Sequence, residues 1–214
     1  MLNALLFTCL VAWPSDDPAA ALRGVQERYD AGGNLSAEFE QVYVDKLRGA
    51  RKPETGVLWA TEDGRVRWSY RKPVRKDFVY DGEKAYFYEP ENAQVTVFEN
   101  FQDTPLWSAM QFLWGQGKLT RVFAVSFCEQ DCGEPSAAQA VLQLVPKDPI
   151  PNVSRALLLV DKKKRLVRTS IVFDALGNRT EYHFANLSFG KAIADAKFEF
   201  EIPDGVSVLR ASPQ

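Results

Sequence analysis

Cys128, Cys132 and His183 are the side chains in this sequence best suited to covalent or coordination chemistry. The two cysteines enclose three polar residues in "FCEQDCG", as facing positions of a tight hairpin would. In an oxidising compartment they would close a disulfide, with free thiols and a metal site as the alternatives. His183, the one histidine, lies far along the chain in the strand-like stretch "TEYHFANL" and has no evident acid or nucleophile partner nearby in sequence. A nucleophile elbow, a paired metal-ligand spacing and a Gly-rich phosphate loop are all missing from the sequence. The expectation is a protein that is no enzyme and takes neither metal nor cofactor.

A second set of residues suits non-covalent chemistry. In "GRVRWSYRKPVRKDFVYDG", Val66, Trp68 and Tyr70 fall on one side of an extended chain, and Arg65, Arg67 and Ser69 on the other. The pattern resumes after a basic turn with Phe78 and Tyr80. Rings repeated at period two build a broad apolar wall with few rotamers to freeze. Such a wall either packs as ordinary core or shelters a greasy guest from water.

The elements that would carry this wall are mostly strands. Asp17-Pro18 offers a cap and a first-turn proline for a helix through "AAALRGVQERYDAG", with Leu22, Val25 and Tyr29 on one face. From "LSAEFEQVYVDKL" to Phe98 the chain reads as consecutive strands, broken at Asp63-Gly64, at Asp81-Gly82 and at Pro90-Glu91-Asn92. Residues 104–117, "TPLWSAMQFLWGQG", read as a helix apolar on more than one stripe, which must be buried or must cover something greasy. Strands return in "LTRVFAVSFC", "AVLQLVPK" and "RALLLVDKKKRLVRTSIVFDALGNRTEYHFANLSFG". About ten antiparallel strands in one domain must curl. The basic runs "RKPVRK" and "DKKKR" read as solvated turns, or else as contacts with a membrane surface or an acidic partner.

Bulk properties narrow the function classes. A net charge of -2 lacks the basic excess that nucleic-acid binding needs. No stretch is long and apolar enough to span a bilayer as a helix. The run from Leu2 to Trp13 has the length of an export-signal core, so residues 1–15 are expected to be a signal peptide or N-terminal apolar segment and 16–214 a single domain.

Three stretches in order, "NLSAEFEQ", "GVLWATEDGRVRWSYRKPVRKDFVYDGEKAYFYEPENAQV" and "FEFEIPDGVSV", closely resemble the periplasmic lipoprotein carriers of the LolA family. The resemblance implies a mainly β fold, an open antiparallel half-barrel with a helical lid. It implies a soluble carrier, expected to be monomeric, in the periplasm of a Gram-negative bacterium. Acylated lipoproteins would come from an inner-membrane lipoprotein-releasing ABC transporter and go to an outer-membrane acceptor, if one is present. The implied acyl-chain contacts are Val66, Trp68 and Tyr70, with Trp59, Phe78, Tyr80, Tyr86 and Tyr88 from neighbouring strands. Leu22 and Val25 would come from the first helix, and Leu106, Met110 and Leu113 from the lid. A sensor of stray lipoprotein or lipid built on the same half-barrel is the alternative. One departure stands out: family members often carry a basic residue before the "RVRW" strand, thought to latch the lid, and here that place holds Glu62.

Overall fold

The computed structural model of the chain describes residues 17–101 and 119–211. Helix α1 (Pro18–Asp30) starts where the cap residue dictates. The Asp17 carboxylate accepts the Ala19 N–H at 2.9 Å, and Pro18 occupies the first position, where no N–H is needed. Ala21, Leu22, Val25 and Tyr29 recur every three or four residues and form its buried stripe. At the last turn the Tyr29 hydroxyl accepts the Val167 N–H at 3.2 Å, fixing the helix to the sheet.

Six strands follow: β1 (Leu35–Val44), β2 (Arg51–Ala60), β3 (Val66–Lys72), β4 (Lys76–Tyr80), β5 (Ala85–Glu89) and β6 (Gln94–Phe98). The short helix α2 (Leu119–Val122) leads into β7 (Phe123–Phe127), β8 (Gln139–Pro146), β9 (Arg155–Asp161), β10 (Leu166–Phe173), β11 (Arg179–Phe189) and β12 (Ser207–Ala211). All twelve lie in one sheet, in the order β12-β6-β5-β4-β3-β2-β1-β11-β10-β9-β8-β7. The described residues thus hold twelve strands, where the sequence suggests about ten. Neighbours are antiparallel except β6 and β12, which run parallel. After β11 the chain crosses the outer face of the sheet before reaching β12, so it arrives running in the direction of β6. A parallel pair needs such a long crossover.

The edges β12 and β7 do not pair with each other, so the sheet is an unclosed half-barrel. The chain leaves β6 near one edge through Phe101 and returns at Leu119 beside the other, and both residues are fully buried in the inner-face core. The expected lid helix at 104–117 and the expected signal segment lie outside the described residues.

A smaller core sits on the outer face, where Val141, Leu157, Leu159 and Ile171 pack with Phe173, Cys128 and Cys132. Strand alternation makes it, since Ala156, Leu158 and Val160 of β9 point to the opposite, inner core. Cys128 and Cys132 form a disulfide with Cα atoms 5.7 Å apart, holding the "EQD" turn against this patch. Replacing both cysteines with serine should lower folding stability by about 2 kcal/mol, the loop-closure value for so short a ring. Denaturant midpoints of the variant and the reduced wild type should agree.

Candidate functional site

Cross-strand register decides which side chains share the inner face. Val66 pairs with Ala60 on β2 and Tyr80 on β4, and Tyr80 with Ala85. One row along, Trp68 pairs with Leu58 and Phe78, and Phe78 with Phe87. These residues join Leu22 and Val25 of α1 in one continuous core cluster, with Tyr70 packed against it. Trp68 is its centre. Its ring lies 4.9 Å from Phe39, 5.5 Å from Tyr182 and 6.2 Å from Phe184, each from a strand beyond β2. Phe101 closes the other side, 5.2 Å from Phe78 and 5.8 Å from Tyr80.

Phe39 reaches Trp68 because the facing residue on β2 is Gly56. A Cβ there would stand 2.6 Å from the Phe39 ring and 2.1 Å from the Ser69 carbonyl oxygen. Only glycine lets the ring lie on the strand.

Towards the β1–β2 turn the inner face becomes polar. The Tyr70 hydroxyl donates to Gln41 Oε1 at 2.6 Å, Gln41 donates to Glu54 at 3.2 Å, and Lys76 donates to Glu54 at 2.7 Å. The Lys76 ammonium also lies 4.3 Å above the Tyr70 ring. Burial, with Tyr182 and Glu54 nearby, pushes the Tyr70 phenol well above its ordinary range, so it stays a neutral donor. The wall is thus apolar along Val66 and Trp68 and ends in a hydrogen-bonded floor.

Trp59, Tyr86 and Tyr88 do not belong to this wall, contrary to the sequence-based expectation. Had Asp63-Gly64 been a two-residue turn, Trp59 would face Trp68. The connection instead spans Thr61 to Arg65, closed by the Thr61 N–H to the Arg65 carbonyl at 2.9 Å. Leu58 therefore faces Trp68, and Trp59 pairs with Arg67 on the outer face. A one-residue difference in register reverses a whole strand. On β5, pairing of Tyr80 with Ala85 likewise sends Tyr86 and Tyr88 outward.

These outer aromatics hold the segment between β11 and β12. Phe200 packs on Tyr86 at 5.1 Å and Tyr88 at 5.7 Å, and Lys197 lies 4.4 Å over the Trp59 ring. Arg65 donates to Asp63 and Asp195, both at 2.9 Å, while Arg67 donates to the Lys197 carbonyl at 3.1 Å. The arginines that alternate with the aromatic wall thus tie down this strap. Glu62, which stands where the family's cation is expected, lies beside the end of α1: its N–H donates to Asn34 Oδ1 at 3.2 Å. The residues a latch would hold are outside those described.

His183 has partners that sequence inspection missed. Its Nε2 is 3.3 Å from Glu181 Oε2 and its Nδ1 is 3.3 Å from Thr169 Oγ1. The period-two spacing of Glu181 and His183 on β11 was the available signal. Glu181 is buried and accepts from Arg179 at 2.6 Å and Arg51 at 3.5 Å, so the group is an ion-pair network on the outer face. Burial opposes ionisation of Glu181, but Arg179, His183 and Arg51 outweigh it and hold its carboxyl below the usual range. A depressed carboxylate pKa contributes stability above the unfolded value of about 4.3, and that contribution disappears as pH falls through the folded value. Glu181→Gln should flatten the acid limb of a stability-versus-pH curve below about pH 4.3.

Residues 33–201 match the family of the outer membrane lipoprotein carrier protein LolA. The chain belongs to the LolA family. An outer-membrane lipoprotein carrier protein of Hahella chejuensis is 29% identical over 179 residues, 84% of this chain and 83% of that protein. Another, from Chromohalobacter salexigens, is 29% identical over 177 residues, 83% of this chain and 80% of that protein. An uncharacterised conserved protein from Thermus thermophilus superposes with a TM-score of 0.58 at 9% identity, covering 91% of this chain and 100% of that one, a likeness of fold alone. Within this LolA-family chain the matched span contains every strand of the aromatic wall and most of the outer strap, while α1 precedes it.

Proposed function

We propose that this LolA-family chain is a soluble, non-enzymatic periplasmic carrier of outer-membrane lipoproteins. It accepts their acyl chains from an inner-membrane lipoprotein-releasing ABC transporter and passes them to an acceptor at the outer membrane. The observation that carries this reading is the Trp68-centred aromatic wall inside a sheet whose edges do not join. Val66, Trp68, Tyr70, Phe78 and Tyr80 from the strands and Leu22 and Val25 from α1 are the proposed acyl-chain contacts. Phe39, Phe87 and Phe184 join them, because register puts them on the same face. Leu106, Met110 and Leu113 are proposed as the displaceable cover, an assignment resting on sequence.

The energetics favour a carrier that can let go. Each acyl methylene taken from water contributes about 0.8 kcal/mol, so several long chains would gain tens of kcal/mol if an open groove stood waiting. Val66, Trp68 and Tyr80 are at most 2% exposed, so the wall is already covered by the protein itself. Entering chains must displace that cover, which offsets much of the gain and leaves a complex that a better acceptor can empty. Transfer then runs downhill between proteins, with no nucleotide consumed by the carrier.

The test is to mix the purified chain with a triacylated lipoprotein in detergent and then remove the detergent. A soluble complex that co-elutes on gel filtration is expected. Precipitation of the lipoprotein to the same extent with and without the chain would overturn the reading.

A further inference from the structure

One end of the sheet carries two exposed leucines on adjacent hairpin tips. Leu47, in the β1–β2 turn, is 95% exposed, and Leu176, in the β10–β11 turn, is 80% exposed. Isolated surface leucines are ordinary, but these two are built alike. Asp45 Oδ1 accepts the N–H groups of Leu47 and Arg48, both at 2.9 Å, and Asp174 Oδ1 accepts those of Leu176 and Asn178, both at 2.9 Å. Each leucine therefore stands two residues beyond an aspartate that fixes its backbone, held outward on an ordered turn. Strands β1 and β11 pair, so the turns are neighbours, and the Lys46 N–H donates to Asn178 Oδ1 at 3.1 Å across the gap.

The charge around these tips is predominantly positive. Lys46, Arg48 and Lys52 from the β1–β2 hairpin and Arg71, Lys72 and Arg75 from the β3–β4 turn are all exposed at this end. Among the described residues none of the six has a carboxylate within ion-pair distance. Most of the nearby acids are already engaged, exposed Glu40 in the groove beside Arg71 being the exception. Asp45 and Asp174 cap their own turns, Glu54 holds Lys76, and Glu181 holds Arg51 and Arg179. A chain with a net charge of -2 thus concentrates free cations around two projecting apolar side chains.

We propose that this end is a membrane contact: Leu47 and Leu176 enter the interfacial layer of a bilayer while the surrounding cations meet anionic phospholipid headgroups. Two shallow apolar anchors with a basic rim give the paired signal that reversible surface binding requires, each weak alone. An acidic partner protein would satisfy the cations but leave the leucines without a reason to project. The contact does not depend on the lipoprotein-carrier reading, since it needs no cargo.

The experiment is co-sedimentation of the purified chain with protein-free vesicles of phosphatidylethanolamine and phosphatidylglycerol, compared with phosphatidylcholine alone. Binding to the anionic vesicles that weakens with salt is expected, with little on the neutral ones. Leu47→Ser with Leu176→Ser should lower it about tenfold at an unchanged melting temperature, because both side chains are exposed. Arg48→Gln with Lys52→Gln and Lys72→Gln should lower it and flatten the salt dependence. Absence of binding to anionic vesicles, or binding indifferent to the leucine pair, would overturn the proposal. So would association with native membranes but not with protein-free vesicles, which would make the tips a protein contact.

Discussion

Replacing Val66 with glutamate is expected to abolish uptake of acylated lipoprotein. Val66 is 2% exposed and sits between Ala60 and Tyr80 on the apolar part of the wall, in a row that continues to Ala85. A carboxylate there must be buried unpaired or take up a proton, and either state opposes both the native packing and an entering acyl chain. The stability cost should be at least about 3 kcal/mol. Circular dichroism and a melting curve would show how much of the variant is folded, and transfer should be scored on that folded fraction. Ser69→Lys is the matching control. It lies on the same strand with its side chain on the opposite face, paired with Asp77, and should transfer lipoprotein as the wild type does. Wild-type transfer by the Val66→Glu protein would remove the inner face from the account.

The second large effect is on folding. Trp68→Ala should cost about 3–5 kcal/mol, the range for deleting a buried aromatic side chain. Trp68 is 2% exposed and its ring meets Phe39 from β1 and Tyr182 and Phe184 from β11, so the cavity would open where the two halves of the sheet converge. At about 2–4 °C per kcal/mol for a chain of this size, the melting temperature should fall by roughly 6–20 °C. Trp59→Ala should cost much less, because that ring lies half-exposed on the outer face under Lys197. Equal losses at the two tryptophans would contradict the register.

Much of this was legible before any coordinates. Alternation in Val66, Trp68 and Tyr70 carries the inner face of β3, and a paired strand must present Phe78 and Tyr80 to the same side. Asp17-Pro18 marked the start of α1 to the residue. The phase of β2 was not legible, because Asp-Gly marks a turn without stating its length. The Thr61–Arg65 connection is one residue longer than a two-residue turn, and that difference exchanged Trp59 for Leu58, whereas on β5 a turn at Asp81-Gly82 and the observed Asp81–Lys84 closure both put Phe87 inward. Contacts across distant sequence were hidden for a different reason. Phe184 reaches Trp68 only because β11 pairs with β1, which no local pattern specifies. The parallel β12 was equally invisible, since its place depends on a strap held by Arg65, Arg67 and the outward aromatics.

Site-specific photocrosslinking is the most direct test of the central claim. A photoreactive side chain is placed at position 68 or, separately, at position 59, and each protein is loaded with acylated lipoprotein and irradiated. An inner face that receives acyl chains predicts adducts from position 68 and none from position 59. Adducts from 59 alone, or none from 68 while lipoprotein remains bound, would place the cargo elsewhere and contradict the account.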